Sequence, residues 1–135
     1  MFSEAIYDAL SEDLTLTAKL STYEGEPGIF TVDPAPGDAN LPYIIIGPIL
    51  EQAPFDTKTS RGRSVRIDVR CYEAATGSAV DIEAISERVR SLLHRVAITI
   101  DGHAWEWSSC FGPISADEED AYGRIITVLV SATEN

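Results

Sequence analysis

From Ser64 to Glu73 the chain alternates apolar and polar side chains without a break. Val65, Ile67, Val69 and Cys71 share one side; Arg66, Asp68, Arg70 and Tyr72 share the other. Successive strand side chains point to opposite faces, so this stretch predicts a strand with one buried and one polar face. Leu41 to Leu50 predicts a second strand. Its three consecutive isoleucines, Ile44 to Ile46, imply burial on both faces. Pro48 cannot donate to a ladder, which restricts this strand to an edge or ends its regular pairing. Between residues 79 and 95 the period changes. Ile82, Ile85, Val89, Leu92, Leu93 and Val96 recur at steps of three and four, with Glu83, Glu87, Arg88 and Arg90 elsewhere, which predicts an amphipathic helix. Ser78 and Asp81 are its candidate caps.

The remaining elements are weaker. Ser3 is a candidate N-cap for an opening helix with Ile6, Ala9 and Leu10 on one face, interrupted at Ser11-Glu12-Asp13 and continued through Leu14, Leu16, Ala18 and Leu20. Residues 22 to 41 hold Gly25, Pro27, Gly28, Pro34, Pro36 and Gly37, and read as a loop with at most a short strand at Gly28 to Val32. Ala97 to Ile100 predicts a short strand, Asp101-Gly102 a hairpin turn, and His103 to Phe111 a strand with Trp105, Trp107 and Phe111 on one side. Gly112 to Asp120 is an acidic loop, and Tyr122 to Ala132 a final strand. Helices and strands do not alternate strictly. The order predicts an α+β fold: one domain over residues 1–135, a single mostly antiparallel sheet, and two main helices packed on one face.

Composition narrows the class. Of 135 residues, 44% are hydrophobic and 24% charged, as in soluble globular proteins. No apolar run approaches the roughly 18 to 20 residues that cross a bilayer, and the N-terminus has early acids rather than the basic start of a signal peptide. The net charge of −12 repels phosphates and disfavours whole-body binding to DNA. It suits a soluble protein, or one bordering a space through which DNA passes. Cys71 and Cys110 each fall within a strand pattern and have no CxxC neighbour. They read as small buried hydrophobes, with a disulfide possible only if their strands are adjacent.

Candidate chemistry is sparse. His94 closes the main helix, where a cationic imidazole would favour the dipole, and His103 follows a turn glycine. No nucleophile elbow, phosphate loop, dinucleotide glycine pattern or His-Glu-x-x-His occurs. Asp117 to Asp120 is a run of four acids, a pattern more typical of a solvated loop than of spaced metal ligands. An enzyme reading would need Asp101, His103 and that loop to converge. The aromatics around Glu106 lack the interleaved cations of a base-stacking platform.

One feature stands apart. Lys58, Arg61, Arg63, Arg66 and Arg70 are five of the ten basic residues, gathered within thirteen positions of an acidic chain. Three of them fall in the stretch from Phe55 and Asp56 to Arg63, which reads as a polar loop too long for a tight hairpin and therefore suited to contact. A basic edge faces an acidic patch on an identical neighbour, and that complementarity favours a head-to-tail interface that closes into a ring when the rotation permits.

Several stretches resemble the tail-terminator, or tail-completion, family of long-tailed bacteriophages. Ala5 to Leu20 is similar to the family's opening helices, Pro42-Tyr-Ile-Ile-Ile-Gly47 to its first core strand, and Phe55-Asp-Thr-Lys-Thr-Ser60 with Gly62 to its middle loop. The helix at 79 to 95, Ile100-Asp-Gly102 and Gly123 to Val130 follow in the same order. Residues 22–41 are longer and richer in Pro and Gly than the family pattern, and residues 112–120 more acidic. The resemblance implies a structural virion protein of the neck, assembled in the host cytoplasm. It would form a ring, usually hexameric, at the head-proximal end of the tail tube, stop tube polymerisation and join the tail to the head connector. The implied partners are further copies of the chain, the tail tube protein, the connector or stopper protein, and genomic DNA passing through the lumen without sequence-specific binding. No cofactor, metal or membrane is implied. Phe55, Asp56, Lys58, Arg61, Arg63, Arg66 and Arg70 become the expected subunit or tube contacts, with DNA in the lumen the other open partner for the arginines. A head-closure protein on the portal side and, further off, a small metal-dependent hydrolase are the competing classes.

Overall fold

In the computed structural model, residues 2–32, 34–56, 61–118 and 120–135 are described, residues 51–56 by their backbone alone. Helix α1 (Phe2–Ser11) and a short α2 (Leu14–Thr17) lead into three two-residue strands, β1 (Thr22–Tyr23), β2 (Glu26–Pro27) and β3 (Ile29–Phe30). Long strands β4 (Tyr43–Asp56) and β5 (Arg61–Ala74) follow, then α3 (Val80–Leu93), β6 (His103–Ser115) and β7 (Ala121–Glu134). The main sheet has the order β3-β4-β5-β7-β6; only the β3–β4 pair is parallel. β1 and β2 form a separate two-stranded ribbon. The α+β architecture, with helices packed on one face of a mostly antiparallel sheet, matches the expectation.

The core lies between that face and the helices. Val65, Ile67, Val69 and Cys71 of β5 are completely buried, as the alternation predicts, beside Ile126, Val128 and Val130 of β7. Helix α3 covers them with Ile82, Ile85, Val89 and Leu93, and α1 with Phe2, Ala5, Ile6 and Leu10. Ile44 to Ile46 are all buried, so the reading of two covered faces also holds. The cover on the second side comes from residues 30–43. Phe30 stacks edge-on against Tyr43, and Tyr43 against Tyr72, with ring centroids 5.7 Å apart in both pairs. Tyr23, Phe30 and Tyr43 therefore form a lid over one end of the sheet's other face.

Several boundaries differ from the sequence reading, each for a local reason. Ser3 lies inside α1, which starts at Phe2. The cap that does form is Asp13 of α2, whose carboxylate accepts from the Leu16 N–H at 2.8 Å. Residue Ala79 holds the N-cap position of α3; Ser78 only approaches the Val80 N–H at 3.4 Å. No strand forms over residues 97–100; Ile100 alone bridges to His103 around the Asp101-Gly102 turn. Pro48 does not end β4. The strand absorbs it in a bulge between Ile46 and Ile49 and continues to Asp56. This is possible because β4 has only the two residues of β3 on its outer side, which leaves Pro48 on an otherwise unpaired edge.

Two ties hold the helical layer. The Arg88 guanidinium donates to both oxygens of Asp13, at 2.9 and 2.7 Å, clamping the start of α2 to α3. His94, the C-cap of α3, accepts the Cys110 backbone N–H on Nδ1 at 2.9 Å. An acceptor nitrogen requires the neutral ring, and desolvation with nearby Arg90 and Arg95 holds the His94 pKa below its ordinary value. His94 thus fastens helix to sheet as a neutral ring, not as the dipole-stabilising cation that its position suggested.

Two stability outcomes follow. Val89→Asp places a charge without a partner in the centre of the core, a penalty of several kcal/mol against a total domain stability of about 5–15 kcal/mol; circular dichroism should report an unfolded chain. Hydrogen bonds from Arg88 hold the Asp13 pKa below its ordinary value, against burial, which opposes them. A carboxylate depressed in the folded state contributes stability above its unfolded pKa of about 3.9 and loses it as pH falls through the folded value. Asp13→Asn should therefore melt below wild type at neutral pH, and the two melting curves should converge in acid.

Candidate interaction surface

The basic island does not form one patch. Asp56 pairs in register with Arg61, so the strands bracket residues 57–60 and the expected nine-residue loop is mostly hairpin strand. Gly62 finds a second partner in Thr133 of β7, which extends the ladder into the presumed loop. Lys58 lies outside the described residues, and Phe55 and Asp56 are described only as backbone on β4. The four arginines split by parity. Arg61 and Arg63 share the side of Val65 and Ile67, toward the helices; Arg66 and Arg70 point to the opposite face.

Arg63 is part of the fold. Its guanidinium sits 5.3 Å from the centre of the Phe2 ring, which in turn lies 5.4 Å from His103. This stack pins the first turn of α1 onto the hairpin end of the sheet. Arg61, at the same end, is exposed.

Beyond this aromatic lid, the face away from the helices is uncovered among the described residues. Leu50 of β4, Trp107, Phe111 and Ile114 of β6 stand out with 49%, 46%, 56% and 61% of their surface exposed. Register places Leu129 and Ile125 of β7 between them, and Arg66 between Leu50 and Leu129. Polar cross-links on this face include Thr127 donating to Asp68 at 3.0 Å, Thr133 donating to Glu106 at 3.0 Å, and the Ser64 and Ser131 hydroxyls, which meet at 3.0 Å. A sheet face carrying this much exposed apolar side chain marks an interaction surface rather than a solvated one.

Sequence parity alone misplaces the aromatics. Bulges in β6 between Trp105 and Trp107, and between Phe111 and Ile114, shift the alternation. Trp105 opposes Ala132, packs against the core and donates to Ser108 at 3.1 Å, while Trp107 opposes Ser131 on the open face. The second bulge holds Gly112 at φ +97°, where an added Cβ would lie 2.8 Å from the Ile125 carbonyl oxygen. The Gly-Pro at 112–113 was the available signal for it.

The arrangement assembles little reaction chemistry. Cys71 and Cys110 lie on β5 and β6, with β7 between them, and both are free. Burial pushes their thiols up to about 12 and about 11, so neither supplies a thiolate. His103 donates from Nδ1 to the Asp101 carbonyl oxygen at 3.1 Å, at the start of β6, whereas the acidic loop follows the other end of that strand. There Asp117 pairs with Arg124 at 3.0 Å. The three parts of the enzyme reading therefore do not converge. Among the described residues no group of three or more His, Cys, Asp or Glu is placed to hold a metal ion.

Comparison with known proteins agrees with this picture. Residues 4–128 match the family described as Tail completion protein gp17. Among solved structures, a chain of the virion of a native gene transfer agent (GTA) particle shares the fold, at 20% identity and a TM-score of 0.77, with 98% of this chain and 94% of that chain covered. No curated protein matches the sequence.

The split of the arginines has a measurable consequence. Arg63→Glu should lower the melting temperature by a few degrees, because the cation over Phe2 contributes about 0.5–1 kcal/mol. Arg61→Glu should leave it unchanged. Equal thermal shifts for both variants would return Arg63 to the exposed surface.

Proposed function

Because the chain belongs to the tail completion protein family, whose model spans residues 4–128, we propose that it is a structural protein of the phage virion neck. Copies of it form a ring, six to a turn, on the head-proximal end of the tail tube. The ring covers the surface on which tube subunits would otherwise add, and presents a different face to the head connector. The observation that carries this reading is the uncovered sheet face with Leu50, Trp107, Phe111 and Ile114 exposed around Arg66. A monomer in water would leave that face unfavourably hydrated; a neighbouring protomer buries it. The net charge of −12 supports passage of DNA through the ring without adhesion.

The acidic surface also sets the salt response. Copies of a strongly acidic chain repel at long range, and salt screens that repulsion more than contacts buried at short range. Ring formation should strengthen from low to moderate salt. Electron micrographs of the purified chain, alone or mixed with tail tubes, should show rings, and particles made without it should carry overlong tails. Phe111→Lys with Ile114→Lys should abolish rings while the monomer melts normally. Tails of normal length beside leaking heads would reassign the protein to the portal side of the neck.

A further inference from the structure

At the end of the sheet opposite the hairpin, on the helical side, a cavity of about 360 Å³ opens between β5, α3 and the start of β4. Leu41, Pro42 and Ile85 form apolar walls, and Glu73 and Asp81 supply two carboxylates. Glu73 has the parity of the core residues of β5 and is only 5% exposed, yet its Oε2 has no hydrogen-bond partner. Lys19 lines the cavity but makes no ion pair with either acid among the described residues. Burial, and then the nearby Asp81, push the Glu73 pKa above its ordinary value. A desolvated carboxyl group without a partner is costly, and each such group in a folded protein calls for an explanation.

A planar guanidinium answers both carboxylates at once, since its fork of donors bridges two acceptors and its stem tolerates apolar walls. The open face of the same chain presents such a group. Arg66 is exposed, sits between Leu50 and Leu129, and has no ion pair among the described residues. Along its own strand its neighbours on this face are Ser64 and Asp68; an arginine set between apolar side chains of the two adjacent strands has the composition of a binding hot spot.

We propose that the Glu73–Asp81 cavity is a socket for the Arg66 side chain of a neighbouring copy, with the apolar flanks of Arg66 closing over Leu41, Pro42 and Ile85. Peg and socket lie on opposite sides of the sheet, so the contact is head-to-tail and propagates around a ring. This deepens the ring reading and rests on it.

The test is a double-mutant cycle on the full chain, with subunit association measured by sedimentation over a dilution series. Glu73→Gln and Arg66→Gln should each weaken association roughly 10- to 100-fold, and the double variant should be no weaker than the worse single one. Asp81→Asn, on the exposed rim, should weaken it by a smaller factor and serves if Glu73→Gln fails to fold. Additive losses would overturn the pairing. Equal loss of thermal stability in Lys19→Gln and Glu73→Gln would assign the carboxylates to Lys19 of the same chain, and also overturn it. If wild type and every variant form rings alike, the socket is refuted and the ring reading stands. If wild type associates neither alone nor on tail tubes, the ring reading fails and the docking with it.

Discussion

The register of β5 between β4 and β7 is the constraint on which the rest of the molecule depends. Every second residue from Val65 to Cys71 must face the helices, and both neighbouring strands are locked to that choice. A slip of one residue would turn Arg66, Asp68 and Arg70 into the core and expose four buried side chains. The cost of burying those charges excludes the alternative by a wide margin. Because the register is fixed, the opposite face is fixed as well. Arg66 stands in the middle of it because Val65 and Ile67 must be inside.

The two faces therefore have different energetics. The helical face is closed by Phe2, Ile6, Ile85 and Val89 and tied down by the Asp13–Arg88 and His94–Cys110 contacts. Among the described residues the other face is closed at one end, where Phe30 packs on Tyr43 and Tyr43 on Tyr72. What remains open is a preformed surface on long strands of one sheet. Binding through it loses little conformational freedom, so more of the apolar area buried by a neighbour would appear as affinity.

Much of this was legible in the sequence where the pattern is strict. The alternation of residues 64–73 placed β5 and both its faces, and the three- and four-residue steps of Ile82, Ile85, Val89 and Leu93 placed α3. The pattern decides less where one residue breaks a period. At Pro48 the sequence leaves two outcomes open, an edge position or an end to regular pairing; the strand takes the edge, and a bulge carries it past the proline. The extra residue between Trp105 and Trp107 sends two tryptophans of equal parity to opposite faces. The basic island divides for a different reason: Arg63 and Arg66 are an odd number of positions apart on one strand, so they stand on opposite faces, whereas Arg61 and Arg63 share one face and Arg66 and Arg70 the other. Glu73 continues the inward parity of Val65 to Cys71, but its burial depends on α3 arriving over the end of β5, which the alternation does not show.

The edges of the sheet bear on how copies would meet in the proposed ring. An exposed strand edge is the common route by which one sheet extends another, through backbone pairing between chains. Both edges here are blunted. β6 is broken by two bulges, with Gly112 and Pro113 at the second. β4 carries a bulge at Pro48 and another near Glu51, has Pro54 toward its hairpin end, and gives Ile44 and Ile45 to β3. Proline removes a donor and a bulge twists the strand out of line, so neither edge offers an unbroken ladder. Backbone augmentation is therefore disfavoured at both margins of the sheet. In the proposed ring, contact between copies is left to side chains on the two faces, and these differ: one is apolar beside an arginine, the other acidic around a cavity. Surfaces so unlike each other favour a head-to-tail match over a self-complementary one, which is the property that separates a ring from a two-fold dimer.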